Sequence, residues 1–174
     1  ASIDTTASDL NAYPEVDSEN LQMLIDHFIE TATDICGIAL IQGGECLEKV
    51  EEQIPKKHAE QLPVFYETLM NFSNYNKLKV NAIAVSIGPG SFTGLRVGLG
   101  YAKGLAYAKS VPIIPVPTLN AIGISSTVIG EYSVLLYSHR DIVYSQDFKK
   151  NRAIDKAYNY TFSFLLFNIN YFLS

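Results

Sequence analysis

Basic residues are in short supply in this chain. Thirteen Lys and Arg face 18 Asp and Glu, giving a formal charge of −5 and a pI near 5.1. A surface that grips nucleic acid by neutralising phosphates needs clustered Lys and Arg, so strong direct RNA or DNA binding is not expected, and any RNA in its function is held by something else. Cysteine is almost absent. Of the two, Cys36 and Cys46, a tight turn at Gly43-Gly44 would place Cys46 opposite Ile41, so no disulfide is expected and the count suits a reducing compartment. Histidine is equally sparse, with His27, His58 and His139 scattered without ligand spacing, so no metal site is expected. No basic stretch followed by an apolar run opens the chain, which makes the cytoplasm the default. There is no internal repeat.

What is present can build a core. With 174 residues, 48% of them hydrophobic, the length fits one domain, or one domain and part of a second. Residues 1–20 are polar and aperiodic and lack a Met, and read as an irregular extension on a processed or partial gene model. The stretch 157–174 carries no charge and is dominated by Tyr, Phe, Asn and Leu. It approaches the length of a membrane span. However, Asn159, Asn168 and Asn170 would each bury an amide in lipid, so no direct membrane role is expected, and the segment reads as a late strand or the residue of a disrupted frame.

Between these ends the order of elements is regular. Residues 21–30 read as a buried strand interrupted by His27. Residues 36–50 read as a hairpin about Gly43-Gly44. From His58, the residues Leu62, Phe65, Tyr66, Leu69 and Met70 fall on one face of a helix. Residues 80–87 form a β-branched strand that stops at Gly88-Pro89-Gly90, and a long helix follows from about Thr93 to Ser110. That helix carries two ribbons of small residues, Gly94, Gly98, Ala102, Ala106 and Gly100, Gly104, Ala108. Glycine inside a helix costs up to about 1 kcal/mol relative to alanine, so the pattern implies another backbone lying close by. A proline-bounded strand over 112–117, a helix capped by Thr118 and running to about Val128, and a second hairpin over 133–148 complete an α/β order with mixed pairing.

The glycine-rich turn after a strand offers backbone N–H groups at a helix start and can bind an anion. It is neither a Walker A loop, since no Gly-Lys-Ser/Thr follows, nor a dinucleotide fingerprint, since the next strand ends without an acid. As a phrase, Gly88-Pro-Gly-Ser-Phe-Thr-Gly-Leu-Arg-Val-Gly98, followed by Ala102-Lys-Gly-Leu-Ala106, resembles the TsaB/YeaZ family, glycoprotease-like members of the actin-like ATPase (ASKHA, RNase H-like) superfamily. Ile29-Glu-Thr-Ala-Thr33 with Ile38-Ala39-Leu40 resembles the family's opening strand and turn. Lys57-His-Ala-Glu-Gln-Leu62 resembles its first helix start, and Val116-Pro-Thr-Leu119 the segment after its next strand. Ser138-His-Arg-Asp-Ile-Val-Tyr144 stands where the family opens its second domain. Residues 1–20 and His27 depart from the pattern, and nothing after Asn151 matches it.

The resemblance implies an actin-like domain over 21–128, with a mixed five-stranded sheet and flanking helices, and an incomplete second domain over 129–174. It also implies a non-catalytic subunit for synthesis of threonylcarbamoyladenosine in tRNA, one that binds the catalytic subunit TsaD, and through it TsaE and tRNA, or binds a second copy of itself. The catalytic family carries a His-x-x-x-His metal pair where this chain has Thr118-Leu-Asn-Ala-Ile122, so neither a catalytic residue nor a metal is expected. The interface is expected on two helices, at Leu62, Phe65, Tyr66, Leu69, Met70, Leu95, Gly98, Leu99, Tyr101 and Ala102. No cofactor of its own is implied, with ATP or ADP at the partner interface left open. Glu30, Thr31, Thr33, Gly88, Gly90 and Ser91 form the candidate nucleotide- or anion-contacting set. The competing reading is a polar turn that satisfies its own backbone through Thr hydroxyls. Two alternatives of other classes are a stand-alone actin-like ATPase or phosphotransferase, and a glycoprotease-like peptidase using Ser91, His58 and Asp141, for which no nucleophile elbow is visible.

Overall fold

A computed structural model describes residues 25–72, 79–138, 142–150, 152–154 and 158–161. The expected extension over 1–20, the turn residues His139 to Asp141 and most of the uncharged tail lie outside the described residues.

The first sheet has five strands, β1 (Ile25–Glu30), β2 (Ile35–Gln42), β3 (Glu45–Gln53), β4 (Ala82–Gly88) and β5 (Ile113–Pro117), in the order β3-β2-β1-β4-β5. β1 pairs antiparallel with β2 and parallel with β4, β2 is antiparallel to β3, and β4 is parallel to β5. This is the mixed five-stranded α/β sheet that the resemblance implies. The register of the first hairpin sets Cys46 opposite Ile41 and Cys36 opposite Glu52. Both outer strands suit an edge. β3 carries Glu45, Glu51, Glu52 and Lys49 on exposed positions, and β5 holds Pro115 and Pro117, whose missing N–H groups a central strand could not spare.

Two helices cover the sheet. In α1 (His58–Asn71) the buried residues are His58, Leu62, Phe65 and Leu69, and in α2 (Phe92–Lys109) they are Gly94, Gly98, Ala102 and Ala106. Leu62, Phe65, Leu69, Ala102 and Ala106 close on Ile29, Ile38, Leu40, Ile83 and Val85 to form the main core. The long helix starts one residue earlier than the sequence predicts, because Ser91 caps it by accepting from the Gly94 N–H at 3.2 Å.

The short helix α3 (Thr118–Ile124) differs from expectation. It stops at Ile124 rather than near Val128, and Thr118 is not its cap: Pro117 holds that position, while the Thr118 hydroxyl is buried without a hydrogen-bond partner. A buried Thr118 is turned inward and cannot reach the free N–H groups at the helix start. The second sheet comprises β6 (Glu131–Tyr137), β7 (Ile142–Lys149), β8 (Arg152–Ala153) and β9 (Tyr158–Thr161), with β7 pairing antiparallel with each of the others. β9 belongs to the uncharged tail and forms the late strand read there. Leu119 of α3 packs with Val134 and Phe148 in a second, smaller core, where Tyr132 stacks on Phe148 at 5.6 Å. By packing, therefore, α3 goes with the second sheet. Among the described residues no helix is long and apolar enough to cross a membrane.

Candidate partner face and cleft

The glycine-rich turn is shaped by contact with the turn between β1 and β2. Gly88 has φ +105 and is followed by a cis peptide to Pro89. A Cβ on Gly90 would stand 2.3 Å from the Ala32 carbonyl oxygen, and one on Gly94 would stand 2.1 Å from the Thr31 carbonyl oxygen. The Ser91 N–H donates to the Ala32 carbonyl at 2.6 Å. The close backbone implied by the first ribbon of small residues is thus the chain's own.

Much of the candidate anion set is engaged within the fold itself, with the Thr31 hydroxyl a buried exception that has no hydrogen-bond partner among the described residues. Glu30 accepts from the Ala32 N–H and from the Ser86 hydroxyl. Thr33 Oγ1 accepts from the Ile35 N–H at 3.1 Å, the self-satisfied turn of the competing reading. Thr31 is fully buried beneath Gly98, and the N–H groups of Ser91 and Gly94 are already engaged. Beside the turn lies a cleft of about 650 Å³ lined by Thr33, Asp34, Gln53, Ser91, Phe92 and Tyr137 among others, and among the described residues Asp34 is the one charged residue on its wall. A carboxylate there opposes a phosphate. Lys56 lines a neighbouring cavity of about 420 Å³, together with Asp34, His58 and Ser91.

Ser91 and His58 border that second cavity but form no nucleophile–base pair. His58 Nε2 lies 3.0 Å from the Thr33 carbonyl and 3.3 Å from that of Ile35, so this nitrogen carries the proton and donates. The Ser91 hydroxyl serves the helix start. Asp141 lies outside the described residues.

The expected interface residues separate into two groups. Leu62, Phe65, Leu69, Gly98 and Ala102 are buried in the chain's own core and present no surface to a partner, a correction to the sequence reading. An apolar stripe at helical spacing was taken up by the nearest apolar surface, which is the sheet. Tyr66, Met70, Leu95, Leu99 and Tyr101 are half-buried, and of these Tyr66 and Tyr101 meet across α1 and α2. The open surface is the second ribbon of α2, which the sequence shows by its four-residue spacing but does not assign to either side. A Cβ on Gly100 or on Gly104 would meet nothing within 4 Å, Ala108 is exposed, and Tyr107 beside them is 89% exposed.

The comparisons with known proteins agree on the lineage. The family described as TsaD, tRNA N6-adenosine threonylcarbamoyltransferase, matches residues 48–162. The tRNA threonylcarbamoyladenosine biosynthesis protein TsaB of Haemophilus influenzae is 39% identical over 105 residues, covering 60% of this chain and 42% of that protein. TsaB of Escherichia coli is 37% identical over 91 residues, covering 52% and 39%. The structure of YeaZ from Pseudomonas aeruginosa superposes with a TM-score of 0.68 at 26% identity, over 80% of this chain and 68% of that one. The chain belongs to the TsaB/YeaZ family. It spans about two fifths of the length of these two curated relatives. At the place where the resemblance puts the catalytic family's metal pair, Thr118 is buried and Ile122 is 40% exposed, and neither side chain is a metal ligand of the expected type. Among the described residues no cluster of three His, Cys, Asp or Glu could hold a metal ion.

Proposed function

We propose that this member of the TsaB/YeaZ family is an accessory subunit in synthesis of threonylcarbamoyladenosine in tRNA, binding a TsaD-type transferase and leaving the chemistry to it. The observation that carries this reading is the open ribbon of α2. Gly100 and Gly104 forgo helix stability, by up to about 1 kcal/mol each, and the chain's own fold draws no packing from either. Glycines in that setting permit another helix to approach closely. The names of the TsaB relatives supply the pathway, and the Thr118 and Ile122 side chains favour a role without metal catalysis. The side chains of Glu30 and Thr33, already bonded within the turn, favour a subunit that binds no nucleotide of its own. A second copy of this chain is the other occupant the ribbon fits.

The test is light scattering on the purified chain alone and mixed with its cognate TsaD-type transferase, using Gly104→Leu as the variant. Because the Gly104 position is open, that substitution leaves the free chain folded. A mixed species that forms with the wild type and is lost in the variant is expected. A folded wild-type chain that never associates with the transferase overturns the reading.

A further inference from the structure

His27 lies on the central strand β1 with no exposed surface, and neither of its ring nitrogens has a hydrogen-bond partner among the described residues. Its ring meets that of Tyr66 on α1 edge-on, with centroids 5.4 Å apart, and Tyr66 meets Tyr101 of α2 at 6.1 Å. Lys109, in the last turn of α2, holds its ammonium 5.9 Å from the Tyr66 ring centroid. On the flanking strands the residues paired with His27 are Leu40 and Ile83, which do not titrate. Glu67 of α1 lies within electrostatic reach of Tyr101. Among the described residues the titratable groups facing His27 are therefore a phenol and a cation, with no carboxylate to receive a proton's charge.

We propose that His27 is a proton-gated latch beneath the two helices: while neutral it lets α1 and α2 close over β1, and once protonated it forces the contact between Tyr66 and Tyr101 apart. A proton on this ring would add a second cation near Lys109 at a position with no exposed surface, and would make both ring nitrogens N–H donors without acceptors among the described residues. Lifting α1 and α2 admits solvent and relieves both. Burial, and then Lys109, hold the ring down to about 4 from its ordinary 6.5. An opened chain takes up the proton as pH falls through 6.5, whereas the closed one resists until about 4. The closed form is therefore fully favoured above pH 6.5 and loses ground between 6.5 and 4. Over that interval the ratio of closed to open falls by about 300-fold, at tenfold per unit of pKa displacement. This inference is independent of the proposed partner.

The experiment follows the ring nitrogens of His27 and the ring resonances of Tyr66 by NMR as pH is lowered, in the wild type, His27→Leu and His27→Gln. The expected result is that His27 protonates in the same step in which Tyr66 loses its native environment. Both variants then keep that environment to at least about one pH unit lower, as removal of the titrating group requires. Should His27→Leu fail to fold, His27→Gln carries the comparison. Titration of His27 near 6.5 with Tyr66 undisturbed, or variants that open at the wild-type pH, would overturn the latch.

Discussion

Replacing Gly98 by alanine and replacing Gly104 by alanine are the same change on the same helix, yet the structure assigns them opposite signs. At Gly104 the new methyl meets nothing within 4 Å, so the gain is that of helix propensity, about 0.5–1 kcal/mol of added stability. At Gly98 it would stand 2.1 Å from Thr31 Oγ1, with Thr31 Cβ and Cγ2 each 3.3 Å away. Thr31 has no exposed surface to retreat toward, so the helix must lift from the β1–β2 turn. Overpacking of this kind costs about 1–3 kcal/mol or more, which outweighs the propensity gain. The two variants should thus differ by about 2 kcal/mol, or about 4–8 °C in melting temperature for a chain of this size. Urea and thermal unfolding followed by circular dichroism at the helix band measure the gap directly. Truncating the neighbour supplies the control: in a Thr31→Ala background Gly98→Ala should cost less, giving a coupling of about 1 kcal/mol. Two variants that shift stability in the same direction by equal amounts would refute the assignment of helix faces.

Three further outcomes can be checked by the same unfolding measurements. Gly123→Ala would set a methyl 2.3 Å from Phe148 Cε1, so it should destabilise by about 2 kcal/mol or more and disturb the stack of Tyr132 on Phe148. Ser86→Ala removes the hydroxyl that donates to Glu30 and leaves part of that carboxylate unsatisfied, with an expected loss of about 1–2 kcal/mol; no loss would mean that Ser86 does not organise the turn. Leu69→Ala empties a fully buried site between α1 and the sheet and should cost about 2–5 kcal/mol, whereas a residue exposed for partner binding would cost almost nothing.

Much of the architecture is written in local pattern. The period of Leu62, Phe65 and Leu69 gives α1, the Gly43-Gly44 turn fixes the register that sets Cys46 opposite Ile41, and the stop at Gly88-Pro89-Gly90 before a helical run marks the start of α2 to within one residue. These features depend on residues only a few positions apart. Thr118 shows where such reasoning fails. Its side chain suits a cap, but the packing of Leu119 against Phe148 turns the helix so that the hydroxyl is buried. The candidate site was legible in composition and not in direction. Both small-residue ribbons of α2 are visible in the sequence, and periodicity treats them alike.

By itself the sequence determined the family, the order of strands and helices, and the two residues standing where the resemblance puts the catalytic family's metal pair. Each of these follows from residue identity at short range or from the resemblance of whole phrases. Only the tertiary structure decided which ribbon of α2 is spent on the chain's own β1–β2 turn and which stays open, and that the expected interface residues Leu62, Phe65 and Leu69 are core. It alone showed that His27 is buried edge-on to a phenol ring and within electrostatic reach of a cation. The physical reason is common to all three: a side chain's contacts depend on what the fold brings against it from 30 to 80 residues away, as Thr31 on Gly98 and Lys109 near His27 show. Periodicity marks the faces of a helix but carries no term for the identity of its neighbour.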